Sequence, residues 1–381
     1  MFRTYCYRLY PNKKQILSLE SMLDLHRELY NAAIEERRQA WKRKRITIDW
    51  YAQNAQLKAI RLERDDIASL NFSSCQITLR RVHRTFVSFF VHRNSRKRIG
   101  YPRFKSKKRF NSICFTFGDG IGISSERIRV TGVGKIRIKW HRPIPTDAKI
   151  KEAILKRRAD GWYVYFQLEL PDYCPPRHSG EPVGIDLGLS NIVALSNGET
   201  VEAKQHLRIA EKKLRTQQRR LSRRRKGSAR WRKAARLVSK SYKHVADTRL
   251  NFNHQLSTRL ARTYSLIAVE GLDLLRLGKG RFSKSIGDVA WGQLIRQIGY
   301  KVENTGSQMI KVDPRYTSQV CSGCGCIVKK DLSVRVHSCP ECGLVLDRDV
   351  NAARNILKRA LDSARTEPSD DNVARTFASV V

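Results

Sequence analysis

The sequence has no long apolar run and few acidic side chains. No stretch of about 18 consecutive apolar residues occurs, and no apolar signal-peptide core follows Met1, so we expect neither a membrane-spanning helix nor secretion. No P-loop, dinucleotide-binding fingerprint or fixed-period repeat is present, which excludes the folds that these motifs mark. Acidic residues number 35 against 75 lysines and arginines, a formal net charge of +40. A charge of this size indicates a polyanionic partner.

Nucleic acid fits this charge better than a membrane surface, because the basic residues are spread over many segments. The densest segment spans residues 211–234, where twelve lysines and arginines accompany one acid, Glu211. Like charges at that density repel one another unless phosphates neutralise them. We therefore expect a nucleic-acid-binding protein of the cytoplasm or nucleoid of a prokaryotic cell.

Hydrophobic periodicity divides the first half of the chain into a strand, a helical block and a series of strands. Residues 2–10 alternate bulky and polar side chains, as a strand does. Because this strand has no partner among the helices, we expect it to pair with the later strands, which makes the helical block an insertion. The predicted helices cover residues 13–44, 49–62 and 73–92. The later strands, at intervals suited to a small barrel, cover 112–117, 127–130, 135–139, 149–158 and 162–170.

From residue 181 the pattern becomes that of an α/β unit. Two apolar runs each end in one carboxylate and a nearby glycine: Val183–Gly188, which carries Asp186, and Ser265–Gly271, which carries Glu270. Asp349 opens an Ala-rich helix close to the end of the chain. The other predicted elements are strand 191–195, basic helices 204–225 and 229–262, helix 289–300, strand 310–312 and helix 352–361.

Each of these three carboxylates has an ordinary structural explanation when it is considered alone. Asp186 suits a turn, Glu270 a strand end and Asp349 a helix N-cap. Their joint order in a basic chain favours a different explanation, because oxygen ligands at the ends of buried elements suit Mg²⁺ or Mn²⁺. Two such ions about 4 Å apart can activate water and stabilise the leaving oxygen in phosphodiester hydrolysis. Asp273 and Asp347 are near enough in sequence to assist.

Two pairs of cysteines have the spacing of a metal site. Cys321-Ser-Gly-Cys324 and Cys339-Pro-Glu-Cys342 are CxxC pairs separated by fourteen residues. This spacing is typical of a closed zinc ribbon, which folds a small module and has no open position for catalysis. Cys326 and His337 are further potential ligands that the sequence permits but does not favour. The isolated cysteines are expected to be small buried side chains: Cys6, Cys75, Cys114 and Cys174.

These acidic segments resemble the split RuvC nuclease domain of TnpB proteins, the transposon-encoded RNA-guided endonucleases related to compact type V CRISPR effectors. The three matching segments are Gly184–Gly188, Val269–Leu272 and Asp347–Ile356, with the cysteine module just before the third. Further matches make the resemblance cover nearly the whole chain: Arg8–Asn12, the helix Leu79–Phe90, Gly100–Lys105 and Tyr316–Cys321.

The resemblance implies a multidomain α+β fold. In this fold an RNase H-like (RuvC) α/β nuclease domain contains an inserted zinc ribbon and follows an N-terminal wedge β-barrel interrupted by a helical recognition block. The implied boundaries are 1–11 and 99–175 for the wedge barrel, 12–98 for the recognition block, 181–314 for RuvC segments I and II, 315–345 for the zinc ribbon, 346–363 for RuvC segment III and 364–381 for a disordered tail.

The resemblance also implies an activity, cofactors and partners. One chain would bind one guide RNA of the omega RNA type, recognise a short target-adjacent motif and cut double-stranded DNA with Mg²⁺ or Mn²⁺ held by Asp186, Glu270 and Asp349. One structural Zn²⁺ would be held by Cys321, Cys324, Cys339 and Cys342. Candidate base contacts to the target-adjacent motif, for which phosphate contact or helix capping is about as good an explanation, are Tyr51, Ser74, Gln76 and Arg80. The other candidate nucleic-acid contacts are Arg84, Arg103, Lys105, Arg219, Arg223 and Arg224.

Two other classes of function fit parts of this sequence. An RNA-guided DNA-binding repressor would lack the acidic residues, which are intact here. An RNase H-like DNA transposase would use an acidic triad without RNA, but the cysteine module and the N-terminal matches disfavour it. We therefore expect an RNA-guided endonuclease.

Overall fold

The computed structural model describes residues 1–93, 99–188, 191–202, 205–272, 291–331 and 334–366. The chain divides into two compact units, Met1–Asp172 and a second that begins at Tyr173. No helix in these described ranges is long and apolar enough to cross a membrane.

The first unit combines four helices with a seven-stranded antiparallel sheet that forms a near-closed barrel. The order of the strands in the sheet is β2-β6-β7-β1-β5-β4-β3. The helices are α1 (Lys13–Lys44), α2 (Trp50–Glu63), α3 (Asp65–Ala68) and α4 (Phe72–His92). The strands are β1 (Phe2–Tyr10), β2 (Ser112–Thr116), β3 (Ile121–Ser124), β4 (Arg127–Val130), β5 (Gly134–Lys139), β6 (Lys149–Arg158) and β7 (Gly161–Glu169).

Strand β1 lies in the middle of this sheet. It pairs antiparallel with β7 from Phe2 to Leu9 and with β5 from Arg8 to Tyr10. The predicted pairing of the opening strand with the barrel strands is therefore present, and helices α1–α4 are inserted between β1 and β2. A single hydrophobic core joins the helices to the barrel.

Side-chain caps explain why the helices of this unit begin where the sequence predicts. Asn12 and Gln15 form a reciprocal capping box at the start of α1. Asp49 caps α2 and Asn71 caps α4 by accepting backbone N–H groups. Two short elements of this unit, α3 and β3, were not predicted.

The second unit contains a five-stranded sheet with the order β10-β9-β8-β11-β12. Strands β8, β11 and β12 are parallel, and β9 and β10 extend the sheet antiparallel. The strands are β8 (Pro182–Asp186), β9 (Asn191–Leu195), β10 (Thr200–Glu202), β11 (Leu266–Glu270) and β12 (Gln308–Val312), followed by a two-stranded hairpin of β13 (Val336–Ser338) and β14 (Val345–Asp347). The helices are α5 (Gln205–Ser222), α6 (Ala229–Thr263), α7 (Trp291–Thr305) and α8 (Arg348–Thr366).

Helices cover both faces of this sheet, and the strand alternation determines which residues meet which helix. Val183, Ile185, Ile267 and Val269 belong to the hydrophobic core formed with α6 and α7. Ala268 packs with Ile356 and Ala360 of α8 on the opposite face. Gly184 lies on this opposite face too, where an added Cβ would be 2.0 Å from the Ala353 carbonyl oxygen. Glycine is therefore required for α8 to cross β8 at backbone distance.

The end of the chain departs from the prediction in two ways. Helix α8 begins at Arg348, four residues earlier than predicted, and continues to Thr366. Residues 364–366 are therefore helical, which corrects the predicted start of a disordered tail, and the rest of that tail lies outside the described residues. Asp273 also lies outside them.

Candidate functional site

Asp186 and Glu270 end two adjacent parallel strands of the second unit. Ile185 pairs with Val269 in register, so Asp186 and Glu270 follow at neighbouring positions. By strand alternation both side chains lie on the sheet face that α8 covers, together with Gly184 and Ala268. Parallel neighbouring strands lie about 4.8 Å apart. The fold thus brings together two carboxylates that are 84 residues apart in sequence.

The electrostatics of Asp186 reflect this crowding. Desolvation by burial, followed by the charges of Glu270 and Asp349, raises the pKa of Asp186 from 3.8 to about 8. Burial also raises the pKa of Glu270, although the Thr317 hydroxyl and the charge of Arg359 act in the opposite direction. A bound cation would favour the ionised form of both groups.

Asp349 lies in the first turn of α8 and is 5% exposed. Its Oδ1 accepts hydrogen bonds from Arg348 Nε at 3.3 Å and Nη2 at 3.2 Å, and its Oδ2 lies 3.5 Å from Arg335 Nη1. Gly188 borders the same carboxylate. An added Cβ at Gly188 would lie 3.5 Å from Asp349 Oδ2 and 2.6 Å from the backbone carbonyl oxygen of Asn191. Gly188 is needed for this close approach and has no positive φ.

Asp347, not Asp349, caps helix α8. Its Oδ1 accepts the backbone N–H of Asp349 at 2.8 Å and that of Val350 at 3.2 Å. The N-cap explanation that the sequence allowed for Asp349 is therefore wrong, and the Asp349 side chain is left for the site.

The three carboxylates are neighbours but do not form a closed cluster. In the part of the chain that the structure describes, the one set of three or more His, Cys, Asp or Glu ligand atoms within 4.8 Å of one another belongs to four cysteines. Asp186 nonetheless experiences the charges of both other acids. Two carboxylates on the sheet face and one on the helix that covers it offer the oxygen donors that suit Mg²⁺ or Mn²⁺.

Cys321, Cys324, Cys339 and Cys342 form that closed set. Sulfur atoms lie 3.6 Å apart in the Cys321–Cys342 and Cys324–Cys339 pairs. Four sulfurs at about 2.3 Å from a tetrahedral zinc would be about 3.8 Å apart, so the geometry fits a metal. The backbone N–H of Cys342 lowers the pKa of Cys339 to about 6, which favours the thiolate that metals bind.

The two additional candidate ligands border this cluster. Cys326 Sγ lies 3.2 Å from Cys339 Sγ, although Cys326 is outside the closed set. His337 is fully buried, and its Nδ1 accepts a hydrogen bond from Lys330 Nζ. His337, which lies in β13, thus borders the cluster but is not one of its four ligand residues.

The candidate nucleic-acid residues of the first unit differ in accessibility. Arg80, Arg84 and Arg103 are exposed, and Tyr51 is 74% exposed. The Arg80 guanidinium lies 4.7 Å from the Trp50 ring centroid, within cation–π distance. These side chains are available to a phosphate or a base.

Three of the other candidates have structural partners. Ser74 is fully buried, and its hydroxyl donates to the Asn71 carbonyl at 2.7 Å and contacts His26 Nε2 at 3.2 Å. Ser74 cannot reach a base edge, and its prediction as a nucleic-acid contact is wrong. Lys105 is half-buried with Nζ 4.5 Å from the Tyr30 ring centroid, and Gln76 is partly buried.

The candidates of the second unit lie on a basic helical hairpin. Arg219 belongs to α5, and Arg223 and Arg224 lie in the turn that leads to α6. All three are exposed. The helices α5 and α6 pack against each other, with Arg249 paired to Glu211 at 2.9 Å. The hairpin thus exposes a dense positive surface.

Sequence reasoning assigned no role to several polar residues around the acidic site. Thr317 contacts Glu270, and Arg335 and Arg348 contact Asp349. Asn351 and Asn355 are buried on α8. The available signal was the i, i+4 spacing of these asparagines on an Ala-rich helix, which places two polar groups on one apolar face.

Family models match three segments of the chain. "Helix-turn-helix domain" matches residues 1–45, which fold as β1 and α1. "Probable transposase" matches residues 165–279, and "Cas12f1-like, TNB domain" matches residues 291–356. The last two matches include Asp186, Glu270, Asp349 and the four clustered cysteines.

Known proteins match over most of the chain. A Streptomyces pristinaespiralis protein named "Putative RNA-guided DNA endonuclease" is 33% identical, over 94% of this chain and 89% of its own length. An Escherichia coli K12 protein named "Putative RNA-guided DNA endonuclease InsQ" is 31% identical, over 74% of this chain and 73% of its own length. The solved structure "Cryo-EM structure of the Cas12f1-sgRNA-target DNA complex" aligns with a TM-score of 0.55 at 15% identity, over 90% of this chain and 82% of that one. The full-length relative and the matched segments agree with the resemblance of the acidic and cysteine motifs: this chain belongs to the TnpB family.

Proposed function

We propose that this protein is an RNA-guided DNA endonuclease that binds a guide RNA and cleaves complementary double-stranded DNA. The observation that carries the proposal is the meeting of Asp186 and Glu270 on one sheet face beside Asp349. Relatives named as RNA-guided DNA endonucleases support the same activity. An enzyme of this kind acts where the genome is, in the nucleoid of the cell.

We assign the two metal centres different tasks. Asp186, Glu270 and Asp349 would hold Mg²⁺ or Mn²⁺, which when bound supplies water activation and charge stabilisation for phosphodiester hydrolysis. The chain itself partly buries Asp186 and supplies the three carboxylates from β8, β11 and α8. The four cysteines would hold one structural Zn²⁺.

The fold supports a division of labour among domains. We assign the five-stranded sheet with α6, α7 and α8 to a RuvC-like nuclease domain (181–314 and 346–363) and residues 315–345 to its zinc ribbon. We likewise assign residues 1–11 and 99–175 to a wedge barrel and residues 12–98 to a recognition block. The observed division of the chain between Asp172 and Tyr173 lies three residues before the predicted end of the barrel at residue 175.

The exposed cations support recognition of nucleic acid by its backbone. Guide pairing reads the target sequence, so the protein needs distributed Lys and Arg more than base-specific contacts. We retain as candidates the exposed side chains Tyr51, Arg80, Arg84, Arg103, Arg219, Arg223 and Arg224.

One experiment tests the proposal as a whole. The full chain is expressed with its native flanking DNA, the co-purifying RNA is sequenced, and a plasmid matched to that RNA is incubated with the complex and Mg²⁺. We expect a defined guide RNA and cleavage that depends on guide complementarity. Absence of RNA contradicts the guided function, and cleavage that survives Asp186→Ala contradicts the assigned acidic site.

A further inference from the structure

Two buried asparagines on helix α8 bind the backbone that leads into the zinc ribbon. Asn351 is fully buried; its Oδ1 accepts the Ser322 N–H at 2.9 Å and its Nδ2 donates to the Val320 carbonyl at 2.8 Å. Asn355, 5% exposed, donates through Nδ2 to Val320 O at 2.6 Å and Thr317 O at 2.9 Å. Residues 317–322 are thus attached to α8 immediately beside Cys321.

The same segment contacts the acidic site through Thr317. This residue is 3% exposed, and its Oγ1 lies 2.6 Å from Glu270 Oε1 and 3.1 Å from the Pro314 carbonyl oxygen. A hydroxyl has one proton to donate, and the shorter contact together with the carboxylate charge favours Glu270 as its acceptor. Thr317 therefore joins the zinc ribbon segment to one of the proposed metal ligands.

A hydrogen bond of this kind controls how a carboxylate is presented. The glutamate side chain has three rotatable bonds, and a buried donor at one oxygen fixes the rotation of the group. Partners that orient metal ligands in this way commonly account for about 10–100-fold in metal affinity or activity. Thr317 offers no charge and is not one of the assigned ligands, so its contribution is orientation.

We propose that Thr317 is a positioning residue for Glu270, and that Asn351 and Asn355 hold it in place by fixing residues 317–322 against α8. The zinc ribbon then has a task at the acidic site besides any contact with nucleic acid: its folded backbone sets the orientation of a metal ligand. This inference rests on the proposed function, because it takes Glu270 as a ligand of the divalent metal.

The test compares Thr317→Val, which removes the hydroxyl at constant shape, with Thr317→Ser, which keeps it. Mn²⁺ binding to the full chain, loaded with zinc and free of RNA, is measured by the electron paramagnetic resonance signal of unbound Mn²⁺. We expect Thr317→Val to bind Mn²⁺ about 10-fold or more weakly and Thr317→Ser to bind as the unchanged protein does. Thr263→Val is the matched control, because the exposed Thr263 hydroxyl donates only to Arg259 O of its own helix.

A second measurement follows the Mg²⁺ concentration needed for half-maximal cleavage by the guide RNA complex. We expect the same shift for Thr317→Val, with binding of guide and target unchanged. Equal Mn²⁺ affinity of the Val variant and the unchanged protein overturns the positioning role. If Thr317→Val does not fold, Thr317→Ala removes the same hydroxyl without added bulk and must show the same loss.

The role of the asparagines is tested by a double-mutant cycle. If Asn355 acts through Thr317, the double variant Thr317→Val/Asn355→Ala should bind Mn²⁺ with about the same affinity as the single variant that binds more weakly. Additive losses contradict this connection. The outcomes also separate the two proposals. If Mn²⁺ binding depends on the Thr317 hydroxyl but the unchanged protein cuts no guide-matched DNA, the endonuclease function alone is refuted.

Discussion

Asp186 combines burial with two acidic neighbours, and this determines how its ionisation affects stability. In the folded protein its pKa is about 8, compared with 3.8 for an ordinary Asp, so the unfolded chain binds fewer protons between these values. Stability contributed by the protonated group is complete below pH 3.8 and is lost as the pH rises towards 8. Without a divalent ion, the ionised site opposes folding.

We predict that Asp186→Asn stabilises the chain in Mg²⁺-free buffer at high pH. The neutral amide is not subject to the repulsion from Glu270 and Asp349, so the melting temperature of the variant should exceed that of the unchanged protein at pH 8.5 by several degrees, about 2–4 °C for each kcal/mol removed. The difference should shrink towards pH 5. Thermal unfolding across this pH range checks it, and a difference independent of pH would contradict the raised pKa.

Asp347 has a structural task that its sequence position beside Asp349 conceals. We predict that Asp347→Asn retains both cleavage and stability, because an asparagine oxygen caps a helix about as well as an aspartate oxygen does. Asp347→Ala should lower the free energy of unfolding by about 1 kcal/mol. Urea unfolding and plasmid cleavage separate the alternatives: if Asp347 were a metal ligand, Asp347→Asn would lose activity at unchanged stability.

At the scale of elements, the crossing of α8 over β8 constrains the acidic site most tightly. Gly184→Ala would place a methyl carbon 2.0 Å from the Ala353 carbonyl oxygen, so helix and strand must separate. We predict a loss of unfolding free energy of about 3 kcal/mol or more and loss of cleavage, since Asp186 and Asp349 separate with these elements. Gly122→Ala in β3, with no atom within 4 Å of the new carbon, is the control and should be near neutral.

We expect the proposed zinc ribbon to depend on a bound metal for its fold, because its four cysteines form a closed ligand set. We predict one zinc per chain in the purified protein, released by Cys339→Ser, because structural zinc sites need all their thiolates. Metal analysis with a colorimetric chelator measures the stoichiometry. Through Asn351, Asn355 and Thr317 the loss should also weaken Mn²⁺ binding at the acidic site. Cys174→Ser should change neither property, because Cys174 lies outside the cluster and is exposed, contrary to the prediction that it is buried.

The elements that the sequence predicts well are those with a strong local signal. Helix α1 has a capping box and a long apolar period, and its observed range, Lys13–Lys44, agrees with the predicted one. The four clustered cysteines were found from spacing alone. Helix α8 begins earlier than predicted because its start depends on Asp347 as a cap, which the neighbouring acid Asp349 made ambiguous.

The remaining parts of the site depend on contacts that no local pattern records. Serine is a residue type that often caps helices at the surface, but Ser74 is buried by packing against His26. Thr317 meets Glu270 across 47 residues of sequence, and nothing in either segment specifies the partner. The contact between Arg335 and Asp349 arises likewise only when the residue before β13 approaches α8, whereas Arg348 is the chain neighbour of Asp349.

At the scale of the whole molecule, a net charge of +40 makes binding of polyanions strongly dependent on salt. The slope of log affinity against log salt is negative for such binding. We predict that replacing Arg219, Arg223 and Arg224 with glutamate reduces the magnitude of this slope by about 3 for nucleic acid bound at the α5–α6 turn. The matched variant with three lysines at these positions should keep the slope, because it keeps the charge. Filter binding at several salt concentrations measures both, and equal slopes for the two variants would remove the hairpin from the interface.

The central place of β1 in the first sheet has a consequence for how the protein is made. β1 leaves the ribosome long before β7, which ends at Glu169 and contains most of its hydrogen-bonding partners. Helices α1–α4 are complete before either β5 or β7 is synthesised, so both edges of β1 are unpaired while these helices form. Deleting the first ten residues would split the sheet in its middle, with β2, β6 and β7 on one side and β3, β4 and β5 on the other.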